Sequence, residues 1–366
     1  MKKVGLITFH DTTNFGSFLQ TLGLYRTIVS LGYDCKVIDY KCERIADVEL
    51  PARKPQSCTP RDIAKFILFE PIKWRKYNAF QKALSSQMKL TMAYERGTIS
   101  QVNKDLDIFV VGSDILWDLT LVNGDTSYFL DFTDDDKGRI AFSTSVGEEW
   151  SDAQKEKLLP LVKRFNHIAL REQTSARWME KLAGQTVQHV CDPTMMVKRE
   201  DWEQYANQSK NGEIYRREKY VLVYFPDNRI LKDADTYAQK NGLQVWCINY
   251  GLPIRGVKNV APVTIEDFLA MVQNAKMVLT ASYHGMLFSI YFHIPFYAYL
   301  IDGTHNERLI SLLEKLNLCD RLRNENATIQ MSAELNFECS SKIIDEWRAY
   351  SINLLSDFLG ELNSSI

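Results

Sequence analysis

At 366 residues the chain exceeds the usual size of a single hydrophobic core, so we expect two domains. Hydrophobic residues make up 45% and charged residues 25%, which is typical of a soluble globular protein, and a net charge of −2 lacks the basic bias of nucleic-acid-binding proteins. The seven cysteines are odd in number and form no CxxC pair, which argues against a disulfide framework and a zinc site. The N-terminal apolar run is too short for a signal peptide, and no stretch approaches the ~20 apolar residues of a membrane span. We therefore expect a cytoplasmic protein.

The N-terminal residues predict a βαβ unit. Residues 3–9 form a short apolar run suited to a central strand, and a polar loop with Asn14 and Gly16 follows it. Residues 17–31 have the apolar spacing of a helix, and 35–40 are predicted to form the second strand. A right-handed crossover between these strands predicts a parallel sheet. The loop then lies at the carboxyl end of the first strand, where open α/β sheets bind ligands.

Four more segments of the N-terminal half are predicted to be strands that run into small or polar residues. They are residues 107–111, 139–146, 167–170 and 187–190, and the stretches at their ends are Gly112-Ser113-Asp114, Ser145-Val146-Gly147, Arg171-Glu172 and Cys191-Asp192-Pro193. Because the carboxyl ends of parallel strands meet at one edge of a sheet, we expect these residues to lie together. Their convergence indicates a binding site more strongly than any one of them.

A second α/β series follows a polar, helix-prone connector at 200–218. Strands are predicted at 220–225, 244–248, 277–280 and 296–300, helices at 230–240, 265–273 and 306–316, irregular chain at 320–340, and a long helix at 342–362. We expect an α/β protein in which two Rossmann-like parallel-sheet domains face a cleft. The N-terminal domain would span 1–200, the C-terminal domain 201–340 and a C-terminal helix 341–366.

Residues 41–100 differ in character and are predicted to be a helical insertion in the N-terminal domain. Between 51 and 90 there are nine Lys and Arg residues against two acids, with aromatic and aliphatic residues between them. Prolines at 51, 55, 60 and 71 are expected to break the segment into pieces. One interpretation is a basic amphipathic insertion that rests on an anionic surface. The interpretation that we favour is a helical hairpin packed on the domain with a solvated basic face.

His284 is the most distinctive candidate residue of the C-terminal half. The pattern predicts a buried strand at 277–280, a tight turn at 282–285 that contains Gly285, and a short helix. Helix N-termini that follow strands bind anions, because free N–H groups and the helix dipole point there. The alternative is a core histidine that is hydrogen-bonded to a neighbouring loop.

Six short stretches resemble, in residue type and order, the polysaccharide pyruvyl transferase family. They are Asn14-Phe-Gly-Ser-Phe-Leu-Gln20, Val111-Gly-Ser-Asp-Ile-Leu-Trp117, Ser143-Thr-Ser-Val-Gly147, Leu170-Arg-Glu172, Cys191-Asp-Pro-Thr194 and Ser282-Tyr-His-Gly285. The resemblance runs from about residue 4 to about residue 320. It implies a fold like that of the B-type glycosyltransferases, with the active site in the interdomain cleft. It also implies transfer of the enolpyruvyl group of phosphoenolpyruvate to a sugar, closing a pyruvate ketal across two hydroxyls, in surface polysaccharide, capsule or exopolysaccharide biosynthesis.

On the donor side the resemblance has one departure. Many family members carry Arg-x-His where this chain has Ser282-Tyr283-His284, and that arginine is implicated in donor binding. The Ser-aromatic-His-Gly form resembles one branch of the family. His284 is then the candidate acid or phosphate ligand, since protonation of the donor's methylene carbon needs an acid with a pKa near the working pH.

Cations are needed for the phosphate and carboxylate of the donor. Arg171 is the candidate that matches the family's motif, and its alternative role is a salt bridge to Glu172. Arg308 is a hypothetical replacement for the missing motif arginine. Ser282 and Gly285 complete the expected donor site.

On the acceptor side, Asp114 is the expected hydroxyl base, with capping of a following helix as an equally weighted alternative. The residues expected to contact the acceptor come from the N-terminal motifs. They are Asn14, Gly16, Gln20, Ser113, Trp117 and Ser145.

We expect no cofactor and no metal, with phosphoenolpyruvate as donor substrate. The expected acceptor is a sugar or a lipid-linked oligosaccharide, and in the latter case residues 51–90 would dock on the inner face of the membrane. The oligomeric state is left open. Two other functions remain: a B-type glycosyltransferase that uses a nucleotide sugar, for which Glu266 and Asp267 are available although they fit a helix start, and a non-catalytic sugar-binding relative.

Overall fold

The computed structural model describes residues 2–301, 306–323, 332 and 334–365. The chain packs into two compact units, each built on a parallel sheet. Unit 1 contains Met1–Leu50, Gln81–Val197 and Ile344–Ile366, and unit 2 contains Pro51–Phe80 and Lys198–Ile343. The structure thus confirms the predicted α/β class with two parallel-sheet domains. Two transfers between units were not predicted: part of the expected insertion belongs to unit 2, and most of the final helix belongs to unit 1.

Unit 1 has a seven-stranded parallel sheet in the order β3-β2-β1-β4-β5-β6-β7. Its strands are β1 Lys3–Ile7, β2 Asp34–Tyr40, β3 Leu90–Tyr94, β4 Ile108–Val111, β5 Gly138–Thr144, β6 His167–Leu170 and β7 Val187–His189. Every residue of β4 and β5 is buried, because helices cover both faces of an open parallel sheet. The predicted strands of this unit are confirmed. The edge strand β3 was missed; only Tyr94 of its five residues is buried.

The helices of the first half of the chain alternate with these strands. They are α1 Phe15–Ser30, α2 Glu43–Glu49, α3 Pro60–Gln87, α4 Asp152–Val162, α5 Gln173–Ala183 and α6 Pro193–Met196, with 3₁₀ turns at Ile99–Lys104 and Ser127–Phe129. Local signals set several of the ends. Ser151 and Gln154 form a capping box at the start of α4, and Gly184 ends α5 with a φ of 68°.

Helix α3 is continuous through Pro71, so the expectation that this proline breaks the segment was wrong. Proline has no N–H to donate to the carbonyl oxygen of Ile67, four residues earlier. Both Pro71 and Ile67 are exposed, so water can hydrogen-bond to that oxygen and the cost of the missing bond is small. The first part of α3 belongs to unit 2 and its last turns to unit 1.

Unit 2 has a six-stranded parallel sheet in the order β10-β9-β8-β11-β12-β13. Its strands are β8 Tyr220–Tyr224, β9 Gln244–Ile248, β10 Lys258–Val260, β11 Met277–Thr280, β12 Phe296–Tyr299 and β13 Leu322–Arg323. The remaining helices are α7 Arg199–Ala206, α8 Gly212–Arg217, α9 Asn228–Asn241, α10 Ile265–Asn274, α11 Tyr283–Tyr291, α12 Glu307–Lys315 and α13 Glu338–Ser365, with a 3₁₀ turn at Cys319–Arg321. The four long strands match the prediction. The segment expected to be irregular at 320–340 contains β13 and lies in part outside the described residues.

Each unit has its own aromatic core. In unit 1, Trp117 stacks on Phe129 with ring centroids 5.2 Å apart, and Trp150 packs against both rings. In unit 2, Tyr220 stacks on Trp246 at 4.3 Å. These large buried rings account for much of the apolar burial that stabilises each sheet. Within the described residues, no helix combines the length and apolar character needed to cross a bilayer.

Close approach of α1 and α6 leads to a testable prediction about Gly23. A Cβ on this residue would lie 2.4 Å from the carbonyl oxygen of Pro193. Alanine is favoured over glycine in a helix by about 1 kcal/mol, yet here the clash should dominate. We expect Gly23→Ala to lower the free energy of unfolding by about 1–3 kcal/mol, measured by urea denaturation.

Gly360 in α13 is the matched control, because nothing lies within 4 Å of the position of its Cβ. We expect Gly360→Ala to raise stability by up to about 1 kcal/mol. Equal stabilisation by both substitutions would show that α1 and α6 are not packed as described.

Candidate functional site

In unit 1 the start of α1 faces the chain that follows β4. Asn14 is the N-cap, and its Oδ1 accepts hydrogen bonds from the backbone N–H groups of Gly16 at 2.9 Å and Ser17 at 3.4 Å. This contact fixes where the helix begins. Ser17, in the first turn of α1, donates from Oγ to Oδ2 of Asp114 at 2.6 Å. The Oδ1 atom of Asn14 is thus used to cap α1. Ser17 belongs to the first motif stretch but was not predicted to be a site residue. It holds Asp114, which is the predicted base.

Asp114 sits where β4 bends away from the regular ladder. Its φ is 86°, and Gly112 before it has a φ of 151°. A Cβ on Gly112 would lie 1.8 Å from the carbonyl oxygen of Phe142, so only glycine fits. The bend keeps contact with the next strand, because the Asp114 carbonyl accepts a hydrogen bond from the Ser145 N–H at 2.9 Å.

The side chain of Asp114 is partly exposed and does not cap a helix. Its Oδ1 accepts from the N–H of Ile115 at 2.9 Å, and the next regular element begins at Ser127. Each carboxylate oxygen can accept more than one hydrogen bond. Asp114 therefore retains capacity to accept a hydrogen bond from a hydroxyl group beside the ones that orient it.

Gln20 is at the centre of the buried polar residues behind Asp114. Its Oε1 accepts from Ser113 Oγ at 2.7 Å and from Arg171 Nη1 at 3.3 Å. Gln20, Ser113 and Ser145 are fully buried. Within the described part of the chain, Gln20 Nε2 and Ser145 Oγ make no hydrogen bond. A buried polar atom is usually hydrogen-bonded, so these two atoms are suited to a water molecule or a ligand hydroxyl.

Arg171 lies in a buried ion cluster. Its Nε donates to Glu172 Oε1 at 3.1 Å, and its Nη1 donates to Asp192 Oδ2 at 2.9 Å. Asp192 also caps α6, since its Oδ1 accepts from the N–H of Thr194 at 2.9 Å. The salt bridge that was weighed against donor binding is thus present, with a second carboxylate in addition. The formal charge of the cluster is negative, which does not favour a phosphate.

Trp117 belongs to the core and not to a binding surface. The residue is 0% exposed, and its Nε1 donates to the carbonyl oxygen of Tyr128 at 3.0 Å. A fully buried ring has no area for a sugar. We therefore assign Trp117 to the core and leave it out of the acceptor site.

A charged group at the ends of β1 and β2 was not predicted. His10 Nε2 lies 2.9 Å from Asp39 Oδ1, and Lys41 Nζ lies 2.8 Å from Asp39 and 2.7 Å from Asp11. Burial raises the pKa of Asp39, but hydrogen bonds from His10 and Lys41 outweigh burial and lower it. The rule that neighbouring strand ends converge would have found this group, because β1 and β2 are adjacent and parallel.

In unit 2 the start of α11 has the arrangement expected from the sequence. Ser282 is the N-cap, and its Oγ accepts from the Gly285 N–H at 3.2 Å. His284 lies in the first turn, is 8% exposed, and its ring packs edge-on to Tyr283 with centroids 5.1 Å apart. The helix has nine residues, and its N-terminal dipole favours an anion. Ser282 is occupied with capping, so it contributes structure to this turn.

Gly285 is needed for packing. A Cβ would lie 2.8 Å from Thr280 Oγ1 and 3.0 Å from a ring carbon of Tyr224. Thr280 Oγ1 in turn donates to the Tyr224 carbonyl at 2.7 Å and accepts from the Ser282 N–H at 2.9 Å. The glycine lets α11 begin directly against β8 and β11, which fixes the position of His284.

Arg308 on α12 lies near the start of α11. Its guanidinium carbon lies 5.9 Å from the ring centroid of Tyr283, which is cation–π distance. The aromatic residue of the Ser-aromatic-His-Gly stretch thus contacts an arginine. The preceding His305 lies outside the described residues.

The acidic residues considered for a nucleotide-sugar pocket are at a helix start. Asp267 is buried and accepts hydrogen bonds from Ser209 Oγ at 2.6 Å and from Asn211 at 3.2 Å. Glu266 precedes it in the first turn of α10, which Thr264 caps. Over the described ranges, no group of three or more His, Cys, Asp or Glu side chains is placed to hold a metal ion.

The Asp39 group predicts an acid-sensitive contribution to stability. An aspartate whose folded-state pKa lies below its unfolded value of about 3.9 stabilises the fold above that value. This stabilisation is lost as the pH falls through the folded-state pKa. We expect Asp39→Asn to lower the melting temperature at pH 7 and to flatten its decline between about pH 4 and pH 2. If the melting temperatures of Asp39→Asn and wild type declined in parallel as the pH fell across this range, the role of Asp39 would be contradicted.

Comparisons with known proteins agree with the fold. The UDP-GlcNAc 2-epimerase from Neisseria meningitidis bound to UDP-GlcNAc superimposes with a TM-score of 0.51 at 10% identity, covering 99% of both chains. The UDP-N-acetylglucosamine 2-epimerase from Rickettsia bellii gives 0.50 at 9% identity, covering 100% of this chain and 96% of the other. At such identity the likeness concerns the fold alone, which resembles that of the B-type glycosyltransferases.

A search of curated protein sequences finds no match. The sequence profile of one family does match, and it is described as polysaccharide pyruvyl transferase. The match covers residues 14–303, which include all six motif stretches and most of the chain. The chain therefore belongs to the polysaccharide pyruvyl transferase family and is a transferase.

Proposed function

We propose that this protein transfers the enolpyruvyl group of phosphoenolpyruvate to a sugar and closes a pyruvate ketal in surface polysaccharide, capsule or exopolysaccharide biosynthesis. The observation that carries the proposal is the position of Arg308. Its guanidinium carbon lies 5.9 Å from the ring centroid of Tyr283, which is the first residue of the nine-residue helix α11 and precedes His284 in the sequence. A cation, a histidine and a helix N-terminus together suit a donor with a phosphate and a carboxylate.

Arg308 is our choice for the cation in place of the missing motif arginine. Arg171, the other candidate, is buried between Glu172 and Asp192 and serves the packing of unit 1. Phosphoenolpyruvate carries up to three negative charges, which the negative ion cluster around Arg171 would repel. His284 then acts as the acid or the phosphate ligand.

Asp114 is our choice for the base on the acceptor side. Its carboxylate is partly exposed and is oriented by Ser17 and by the Ile115 N–H. An oriented carboxylate can accept the proton of an attacking hydroxyl. Gln20 and Ser145 are fully buried behind it, so we assign them to positioning the chain that carries Asp114 and not to contact with the acceptor.

The proposed reaction balances without an added cofactor. A proton is added to the methylene carbon of phosphoenolpyruvate, and one sugar hydroxyl bonds to the central carbon. The second hydroxyl then displaces phosphate from the same carbon. The two hydroxyl protons account for the new methyl group and for the hydrogen phosphate that leaves. This balance holds for a free and for a lipid-linked acceptor, and we propose a cytoplasmic site of action.

Donor binding tests the role of Arg308. We expect phosphoenolpyruvate to raise the melting temperature of the wild type and Arg308→Glu to weaken its binding by roughly 10- to 100-fold, since a charged hydrogen bond is lost. Lys315→Glu is the matched control, because it reverses an exposed charge on the same helix. Isothermal titration calorimetry gives the dissociation constants.

Unchanged donor binding by Arg308→Glu would remove Arg308 from the donor site. A panel of nucleotide sugars in the same assay separates the other functions. Stabilisation by a UDP-sugar but not by phosphoenolpyruvate would favour the glycosyltransferase, and stabilisation by neither would favour the sugar-binding relative.

Asp114→Asn tests the proposed base. The substitution keeps the shape of the side chain but removes its basicity, so we expect kcat to fall by about 10²- to 10⁴-fold with donor affinity unchanged. The measurement is phosphate release from phosphoenolpyruvate with a panel of glycans. Asp105→Asn, at an exposed position of the same unit, should match the wild type. Wild-type kcat in Asp114→Asn would show that another group takes the proton.

A further inference from the structure

The first half of α3 has an exposed aliphatic face. Ile67 and Leu68 are 63% and 68% exposed, and Ile63 is 39% exposed. Ala64 and Pro71 are exposed as well. Each of these five residues is three or four positions from another of them, so they lie on one side of the helix. We call them the α3 aliphatic face.

Contacts with the rest of unit 2 hold the helix in place. On the side opposite the aliphatic face, Lys76 Nζ lies 4.2 Å above the ring of Tyr250, and Phe80 is fully buried. At the C-terminal end of the face, Trp74 Nε1 donates to the Ala52 carbonyl at 3.2 Å, and the Ala52 N–H donates to Glu70 at 2.9 Å. The helix is therefore anchored beyond and behind the aliphatic face, which is left in water.

The charges around this face are positive. Arg53, Lys54, Arg61 and Arg75 are exposed, and Arg61 and Arg75 flank the aliphatic face on the helix itself. Both acids of this segment are engaged internally. Glu70 is buried and bonded to Lys73 at 2.7 Å, and Asp62 accepts hydrogen bonds from the hydroxyls of Ser57 at 2.5 Å and Thr59 at 3.0 Å. The exposed surface is thus cationic in a chain whose net charge is −2.

We propose that the α3 aliphatic face docks on the surface of an anionic lipid bilayer. Aliphatic side chains at the centre would enter the boundary between headgroups and acyl chains, while the arginines pair with lipid phosphates. The charge favours a membrane over a second copy of this chain, since two copies would bring like charges together. The interpretation favoured from the sequence, a helical hairpin packed on the domain with a solvated basic face, does not account for this exposed aliphatic face. The proposal stands independently of the donor and acceptor assigned above.

Vesicle co-sedimentation of the full-length protein tests the proposal. We expect binding to vesicles of phosphatidylcholine with phosphatidylserine, weak binding to phosphatidylcholine alone, and release at about 1 M salt, where charges are screened beyond about 3 Å. Each arginine near an anionic surface contributes about fivefold to binding, so Arg61→Gln with Arg75→Gln should weaken it by roughly 30-fold. Ile67→Asn and Leu68→Asn should each weaken it by roughly tenfold or more.

Matched controls come from exposed residues elsewhere in unit 2. Leu252→Asn removes a side chain that is 60% exposed, and Arg217→Gln with Lys240→Gln removes two exposed cations. These variants should bind vesicles like the wild type. Equal losses in controls and α3 variants, or wild-type binding by the α3 variants, would overturn the proposal. The proposal would also be overturned if light scattering showed a dimer for the wild type and a monomer for Leu68→Asn. The α3 aliphatic face would then be an interface between copies of the chain.

Discussion

The polar edge of unit 1 depends on one buried arginine. Arg171 joins the end of β6 to α6 through Asp192 and to α1 through Gln20. Removing one partner from a buried ion pair typically costs about 3–5 kcal/mol, because the other charge stays buried without compensation. The Oε1 atom of Gln20 accepts hydrogen bonds from both Arg171 and Ser113. These two contacts fix the orientation of the side-chain amide of Gln20. The geometry around Asp114 is thus set by electrostatics deeper in the unit.

The motif residues of the family divide into two groups in this structure. One group builds the backbone: Asn14 caps α1, Gly112 admits the Phe142 carbonyl, and Gly285 lets α11 meet the sheet. The other group consists of the residues to which we assign the proposed chemistry, with Asp114 partly exposed in unit 1 and His284 in the first turn of α11. A short motif that serves packing and chemistry at once is easy to recognise in a sequence. Its individual residues are harder to assign from the sequence, because both roles favour the same glycines, serines and acids.

Hydrophobic periodicity was enough to predict the long central elements. Strands such as β6 and β11 are continuous apolar runs, so their bounds agree with the prediction to the residue. Edge strands are less clearly indicated by hydrophobic periodicity. The expectation that Pro71 breaks the segment was wrong, because the cost of a proline within a helix depends on its solvent exposure, which the sequence does not record. The same limit applies to the site. The choice between donor cation and salt bridge for Arg171 required the position of Asp192, which is 21 residues away.

The way the chain passes between the two units bears on how the protein folds during synthesis. Unit 1 holds residues up to Leu50, from Gln81 to Val197 and from Ile344 onward, so the whole of the second sheet is made before unit 1 is complete. The part of α13 that belongs to unit 1 contributes to its core, because Leu355 and Leu359 are fully buried and the Leu362 carbonyl accepts a hydrogen bond from Lys2 Nζ at 2.6 Å. A nascent chain that stops short of this helix leaves an apolar surface of the first sheet uncovered. The core of unit 1 is therefore complete only once the last helix has been synthesised, so the unit that begins first along the chain is the unit that is finished last.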